Sequence, residues 1–185
     1  MLTIVIPAGY KIDDDDNIIS WPEVTVNLEH SLVSISKWEA KYRRPYLKPD
    51  DKKTALEVLD YIKMMSLTDG VTDDQWNGLS HGNVEAIKEY ISENQTATTF
   101  SDKAKKAKSR EIITSELIYC WMVQQQIPFE CQYWHLSRLL TLINVVSIKN
   151  QPPEKQNPID SINRTRELNK ARRAANVKTP HIPKH

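Results

Sequence analysis

The stretch Ile127–Asn150, IPFECQYWHLSRLLTLINVVSIKN, decides how this chain is read. Pro128 suits the first turn of a helix, where its missing N–H costs nothing, and an apolar and aromatic pattern follows it. Phe129, Tyr133, Trp134, Leu136, Leu139, Leu140, Leu142 and Ile143 are more large side chains than one amphipathic face needs. They must be buried in the chain's own centre or against another protein. Arg138 interrupts the run and must either reach the surface or meet an acid such as Glu116 or Glu111, as buried charges do. Ser137, Arg138 and Asn144 also keep the segment short of a membrane span.

Upstream, Ser109 reads as the cap of a preceding helix that buries Ile112, Ile113, Leu117 and Trp121 and ends at Ile127-Pro128. A short connection makes the two helices antiparallel, so residues 110–150 are expected to form an apolar helical hairpin. Ser31 caps an earlier helix through Tyr42 or Arg43, with Leu32, Ile35, Trp38 and Tyr42 on one face and Pro45 ending it. A second helix is expected from Asp50 or Asp51, using Leu56, Leu59, Ile62 and Met65, until Thr68-Asp69-Gly70 stops it. Thr72–Asn77 reads as a short helix with Trp76 inward, and Asn83–Ser92 as another.

The first thirty residues differ. LTIVI (Leu2–Ile6) and VTVNL (Val24–Leu28) are β-branched runs separated by turn formers, so residues 1–30 read as a hairpin with an acidic tip at Asp13–Asp16. The aspartates lack the spaced ligands and closing glutamate of an EF-hand, and a solvated turn is the better reading. The fold class is therefore mainly α with a small N-terminal β-hairpin, an α+β helical bundle. Residues 1–150 are expected to form one domain, with residues 31–93 helical and 94–109 a basic linker. Residues 151–185 read as a basic helical or flexible extension.

Four glycines against ten prolines argue against a glycine-cradled phosphate site or a loop-rich barrel. The net charge of +1 hides −5 over residues 1–30, +4 over 101–110 and +5 over 151–185. Two cysteines, Cys120 and Cys131, are too few for a disulfide framework, and a reducing compartment follows. Cys131 and His135 share a helix face, but a core histidine with a hydrogen-bond partner is favoured over a metal ligand. No serine–histidine–acid set, P-loop or dinucleotide fingerprint occurs, so catalytic, cofactor-binding and metal residues are all read as none. The lysines at 103–108 lack interleaved aromatics, which disfavours nucleic acid as a partner.

LEHSLVSISKWEAKYRRPYL (Leu28–Leu47), TATTFS (Thr96–Ser101), Ser109–Asn150 and RTRELNKARRAA (Arg164–Ala175) together resemble the tail assembly chaperones of tailed bacteriophages. The most specific pieces are ISKWE (Ile35–Glu39), IPFECQYWHLSRLLTLI (Ile127–Ile143) and LNKARRAA (Leu168–Ala175). The final VKTPHIPKH departs from the family's short glycine-bearing end. The resemblance implies a non-enzymatic protein of the host cytoplasm that binds the tape-measure protein, or another tail protein, during tail assembly. A permanent virion component, such as a head–tail connector, is the alternative, and homo-oligomerisation stays open. Trp38, Trp121, Met122, Tyr133, Trp134 and Arg138 are the expected groove lining, with Arg164, Arg166, Arg172 and Arg173 as an ionic contact.

Overall fold

The computed structural model describes residues 1–49, 51–99, 112–150 and 165–170. Met1–Lys149 form one compact unit and Asn150–His185 a second. Within the second unit, residues 165–170 are helical with exposed side chains. The fold class is mixed α+β, as the sequence implies.

Strands β1 (Leu2–Ile6) and β4 (Val24–Leu28) pair antiparallel from Leu2↔Leu28 to Ile6↔Val24. Alternation sends Ile4, Ile6, Val26 and Leu28 into the core on one face of the pair. The free edge of β4 is covered by the segment around Ser66: Glu29 N–H donates to the Met65 carbonyl at 2.9 Å and Leu67 N–H to Asn27 at 2.8 Å. The intervening residues, expected to be only an acidic loop, form a second antiparallel ribbon, β2 (Gly9–Ile12) with β3 (Ile18–Trp21). At its tip the Asp13 carboxylate accepts the backbone N–H groups of Asp15 at 3.0 Å and Asn17 at 2.8 Å, which closes an Asx turn. Trp21 fastens one ribbon face to the helices. A Cβ on Gly9 would lie 2.6 Å from its indole, so only glycine fits there. The opposite face, with Tyr10, Ile12 and Ile18, is exposed.

Helix α1 (Leu32–Tyr42) is central. Ser31 and Ser34 form a reciprocal capping box, and Arg43 ends the helix in the left-handed region (φ 54°). Its face, Leu32, Ile35 and Trp38, is wholly buried. Helix α2 (Ala55–Met65) packs on it, with Trp38 Nε1–H donating to the Glu57 carbonyl at 3.1 Å. α2 starts later than the sequence suggests because Thr54 and Glu57 make the capping box, while Asp51 faces Arg44 at 3.3 Å. Leu56 is consequently exposed, and Tyr61 joins Ile62 and Met65 on the buried face. α3 (Asp73–Asn77) is capped by Thr72 with Trp76 inward, and α4 (His81–Ser92) packs on β1.

Helix α5 (Ser115–Gln124) is capped by Thr114, not Ser109. Ile112 and Ile113 are exposed, and the buried face is Ser115, Ile118 and Met122, one step from the expected Leu117 and Trp121. Buried Glu39 sets this rotation. Its carboxylate accepts Ser115 N–H at 2.7 Å and Tyr46 N–H at 2.8 Å, so one α1 side chain joins the α5 start to the loop after α1. α5 therefore packs chiefly on α1.

The helix expected from Pro128 is in two pieces. Phe129–Tyr133 is a 3-10 turn, and α6 (Leu136–Asn150) begins only at Leu136. Trp134 is extended (ψ 160°), Ser31 and His135 form a β-bridge, and Leu136 N–H donates to the His30 carbonyl at 2.7 Å. Around this junction lies a buried polar cluster. His30 Nδ1 and the Tyr61 hydroxyl share a hydrogen bond of 2.5 Å, and Tyr46 stacks on Tyr61 with ring centroids 4.1 Å apart. His135 Nε2–H donates to the Tyr90 carbonyl at 3.1 Å, which leaves Nδ1 to accept from Ser137. The histidine rings stand edge to face at 5.2 Å. Burial, with His135 a smaller cause, pulls His30 down to about 4, and burial also lowers His135.

Both histidines fold neutral, so the unfolded chain binds more protons below their ordinary value of 6.5. Stability from His30 is complete above that value and is lost as pH falls from 6.5 towards 4, by about 3 kcal/mol. Urea unfolding across this window is expected to show the loss, and His30→Gln to flatten its slope; an unchanged slope counts against the assignment. Glu39→Ala leaves the buried Ser115 N–H and the half-buried Tyr46 N–H without their acceptor and is expected to cost about 2–4 kcal/mol in the same assay. A change within about 0.5 kcal/mol, the range of an ordinary surface substitution, would contradict this role for Glu39.

Candidate protein-interaction surface

α6 buries only Leu136, Leu139 and Ile143, a narrow seam at three- and four-residue spacing. Leu140, Leu142, Val145 and Val146 remain half-buried and Ile148 is exposed. An apolar arc wider than the seam a helix buries belongs inside a protein or against one. Here the chain covers one side of it.

A groove of about 540 Å³ runs along that helix. Its floor is Trp134, just before the helix, and Arg138, Thr141, Leu142 and Val145, where Arg138 is three and four residues from Thr141 and Leu142, and Val145 four and three beyond them, so that the four form one stripe of α6. Residues 95–98 wall it, anchored where Gln95 N–H donates to Ser137 Oγ at 3.1 Å. Trp134 is 38% exposed, and the Arg138 guanidinium carbon lies 4.9 Å from its ring centroid. Among the described residues no carboxylate lies within ion-pair distance of Arg138. Of the two outcomes the sequence allows, Arg138 reaches the surface, beside the Trp134 ring. Glu116 points to solvent elsewhere, and Glu111 lies outside the described residues.

An aromatic patch adjoins the start of α6 in sequence. Tyr133 is 60% and Phe129 53% exposed, because the 3-10 turn buries Cys131 and turns its other side chains outward. The Tyr119 ring is 6.3 Å from Phe129, and its hydroxyl donates to Gln132 Oε1 at 2.9 Å, which braces the turn against α5.

The residues singled out from the sequence separate by burial. Tyr133, Trp134 and Arg138 reach the surface, and Trp121 is half-buried. Trp38 and Met122 are wholly buried, which corrects their assignment as groove lining. Trp38 faces the Tyr42 and Tyr46 rings at 4.7 and 5.2 Å, and Met122 lies on the inward face of α5. Arg166 is exposed on the helical segment 165–170, whereas Arg164, Arg172 and Arg173 lie outside the described residues. Leu142 reads in the sequence only as one of the side chains to be buried, and Val145 carries no signal apart from the periodicity of the seam. The 95–98 wall carries no apolar signal at all.

Both His135 nitrogens are engaged within the protein, Cys131 is buried and Cys120 is exposed. Among the described residues no three metal-ligating side chains gather, and no helix is long and apolar enough to cross a membrane. Compared with protein-family models, curated proteins and solved structures, the chain matches none.

Burial separates the two tryptophans energetically. Trp38→Ala is expected to cost about 3–5 kcal/mol in urea unfolding. Trp134→Ala, at a ring partly in solvent, is expected to cost less than about 1.5 kcal/mol. Equal losses would place Trp134 in the core and remove it from the groove.

Proposed function

We propose that this protein is a non-catalytic assembly factor that shelters an apolar helical segment of another protein, and that it acts as a bacteriophage tail assembly chaperone. The observation that carries this reading is the side of α6 where Trp134, Leu142 and Val145 line a groove that the described residues leave open. Helix-in-groove recognition uses this arrangement: an apolar floor, a rigid aromatic and a charged residue that fixes register. The tape-measure protein is the proposed client. Its long amphipathic helices would aggregate before the tail tube encloses them, and the resemblance across Ile127–Ile143 covers the same surface. The proposed setting is the host cytoplasm.

A second reading is a permanent virion component, favoured by the β2–β3 ribbon. Tyr10, Ile12 and Ile18 are exposed there and both strands have open edges, which suits strand pairing between neighbouring subunits.

Co-expression with the tape-measure protein of the same genome tests the first reading. The client is expected to stay in the supernatant with the native chain and to pellet with a Tyr133→Ala/Trp134→Ala chain that still folds. A client equally soluble with and without this protein rejects the role. Mass spectrometry of purified particles separates the readings, since stoichiometric amounts of the chain in virions favour the structural one.

A further inference from the structure

We infer that the α6 groove takes an amphipathic helix whose acidic side chain, one to two turns from an apolar anchor, pairs with Arg138; this deepens the proposed helix-sheltering role and rests on it. The occupant's chemistry follows from the stripe. Arg138, Leu142 and Val145 share one face at successive turns of α6, and Trp134, in the extended link just before the helix, lines the same groove. From Arg138 to Val145 that face spans about two turns, roughly 10 Å, with the Trp134 ring extending it at the N-terminal end. Its far half, Leu142 and Val145, offers aliphatic surface. Its near half offers a guanidinium.

Charge decides what must meet that near half. Arg138 is the one charged residue among the groove's lining; the others are threonines, an alanine, a glutamine and the apolar residues. Among the described residues it has no acidic partner, although it stands beside an apolar ring and in a concave surface. A helix laid along α6 removes water from this guanidinium, and an unpaired charge there opposes binding. A carboxylate reverses the sign, because the planar fork accepts it through two parallel N–H···O bonds. The place of the guanidinium over the Trp134 ring, 4.9 Å from the centroid, restrains it and reduces the side-chain freedom lost on pairing.

The spacing follows from α6 itself. Arg138 precedes Leu142 by four residues and Val145 by seven. On a facing helix the carboxylate therefore sits four to seven positions from the apolar side chain that seats between Leu142, Val145 and the 95–98 wall. A lysine or arginine at that acidic position meets like charge, which excludes basic helices of equal hydrophobicity.

Twin designed helical peptides, about four turns long with a leucine pair and either Glu or Lys one turn away, test this by fluorescence anisotropy against the full native chain. The Glu peptide is expected to bind about tenfold tighter, as a charge-assisted pair supplies. Arg138→Glu is expected to reverse the order, with Arg138→Gln, which keeps a neutral side chain, removing the preference. In amide and indole NMR spectra the shifts are expected at Trp134 and along 138–145. Equal affinities, a preference that survives both substitutions, shifts elsewhere, or no binding up to millimolar peptide overturns the inference. A Glu-over-Lys preference of the native chain that Arg138→Gln abolishes, with no solubilised tape-measure client, leaves the groove chemistry standing and rejects the chaperone reading; the converse result rejects only the Arg138 pairing.

Discussion

One short hydrogen bond, from Leu136 N–H to the His30 carbonyl, governs how the rest of this fold is exposed. It joins the residue that starts α6 to the residue just before the α1 cap, with the Ser31–His135 bridge beside it. Two helix starts are thereby fixed against each other. Because α6 is seized at its first residue, only the side chains at the right turn of the helix face inward. Leu136, Leu139 and Ile143 go to the core, Leu140 and Leu142 pack against its edge, and Val145 and Ile148 are carried further round. A helix running unbroken from Pro128 would have had no such constraint.

α1 is the element to which the others are tied, through chemistry as much as through packing. Trp38 reaches α2 through its indole N–H, Glu39 holds the α5 start, and the segment before the cap holds α6. Each tie satisfies a buried polar group that would otherwise cost folding energy. The cluster of His30, Tyr61, Ser34 and His135 belongs to the same design. A hydrocarbon centre would tolerate small rotations of α1 and α6, whereas hydrogen bonds of fixed direction select one arrangement.

Much of the architecture is legible because local signals and packing agree. Ser31 with Ser34, and Thr72 with Gln75, announce their helices, and the alternation in LTIVI and VTVNL gives both the pairing and the inward face. Legibility fails where a distant residue overrides the local one. The rotation of α5 depends on Glu39, 76 residues before Ser115, and no reading of SELIYCWMVQ reveals it. The true start of α6 depends on His30, more than a hundred residues upstream. Of the candidate surface, Tyr133, Trp134 and Arg138 were recognisable as large or charged residues in an apolar run. Trp38 looked equally available, since a core tryptophan and a surface one are the same letter at the same helical spacing.

The Asp13 turn has a bearing on how many copies of the protein can share a confined volume. A two-stranded ribbon with bare edges and an oily outer face is a template for stacking with its own kind. Four consecutive carboxylates crown it, so two such tips approaching in register repel before their strands can align. The acidic run then acts as a gatekeeper whose reach is set by the Debye length, and raising ionic strength relaxes it first.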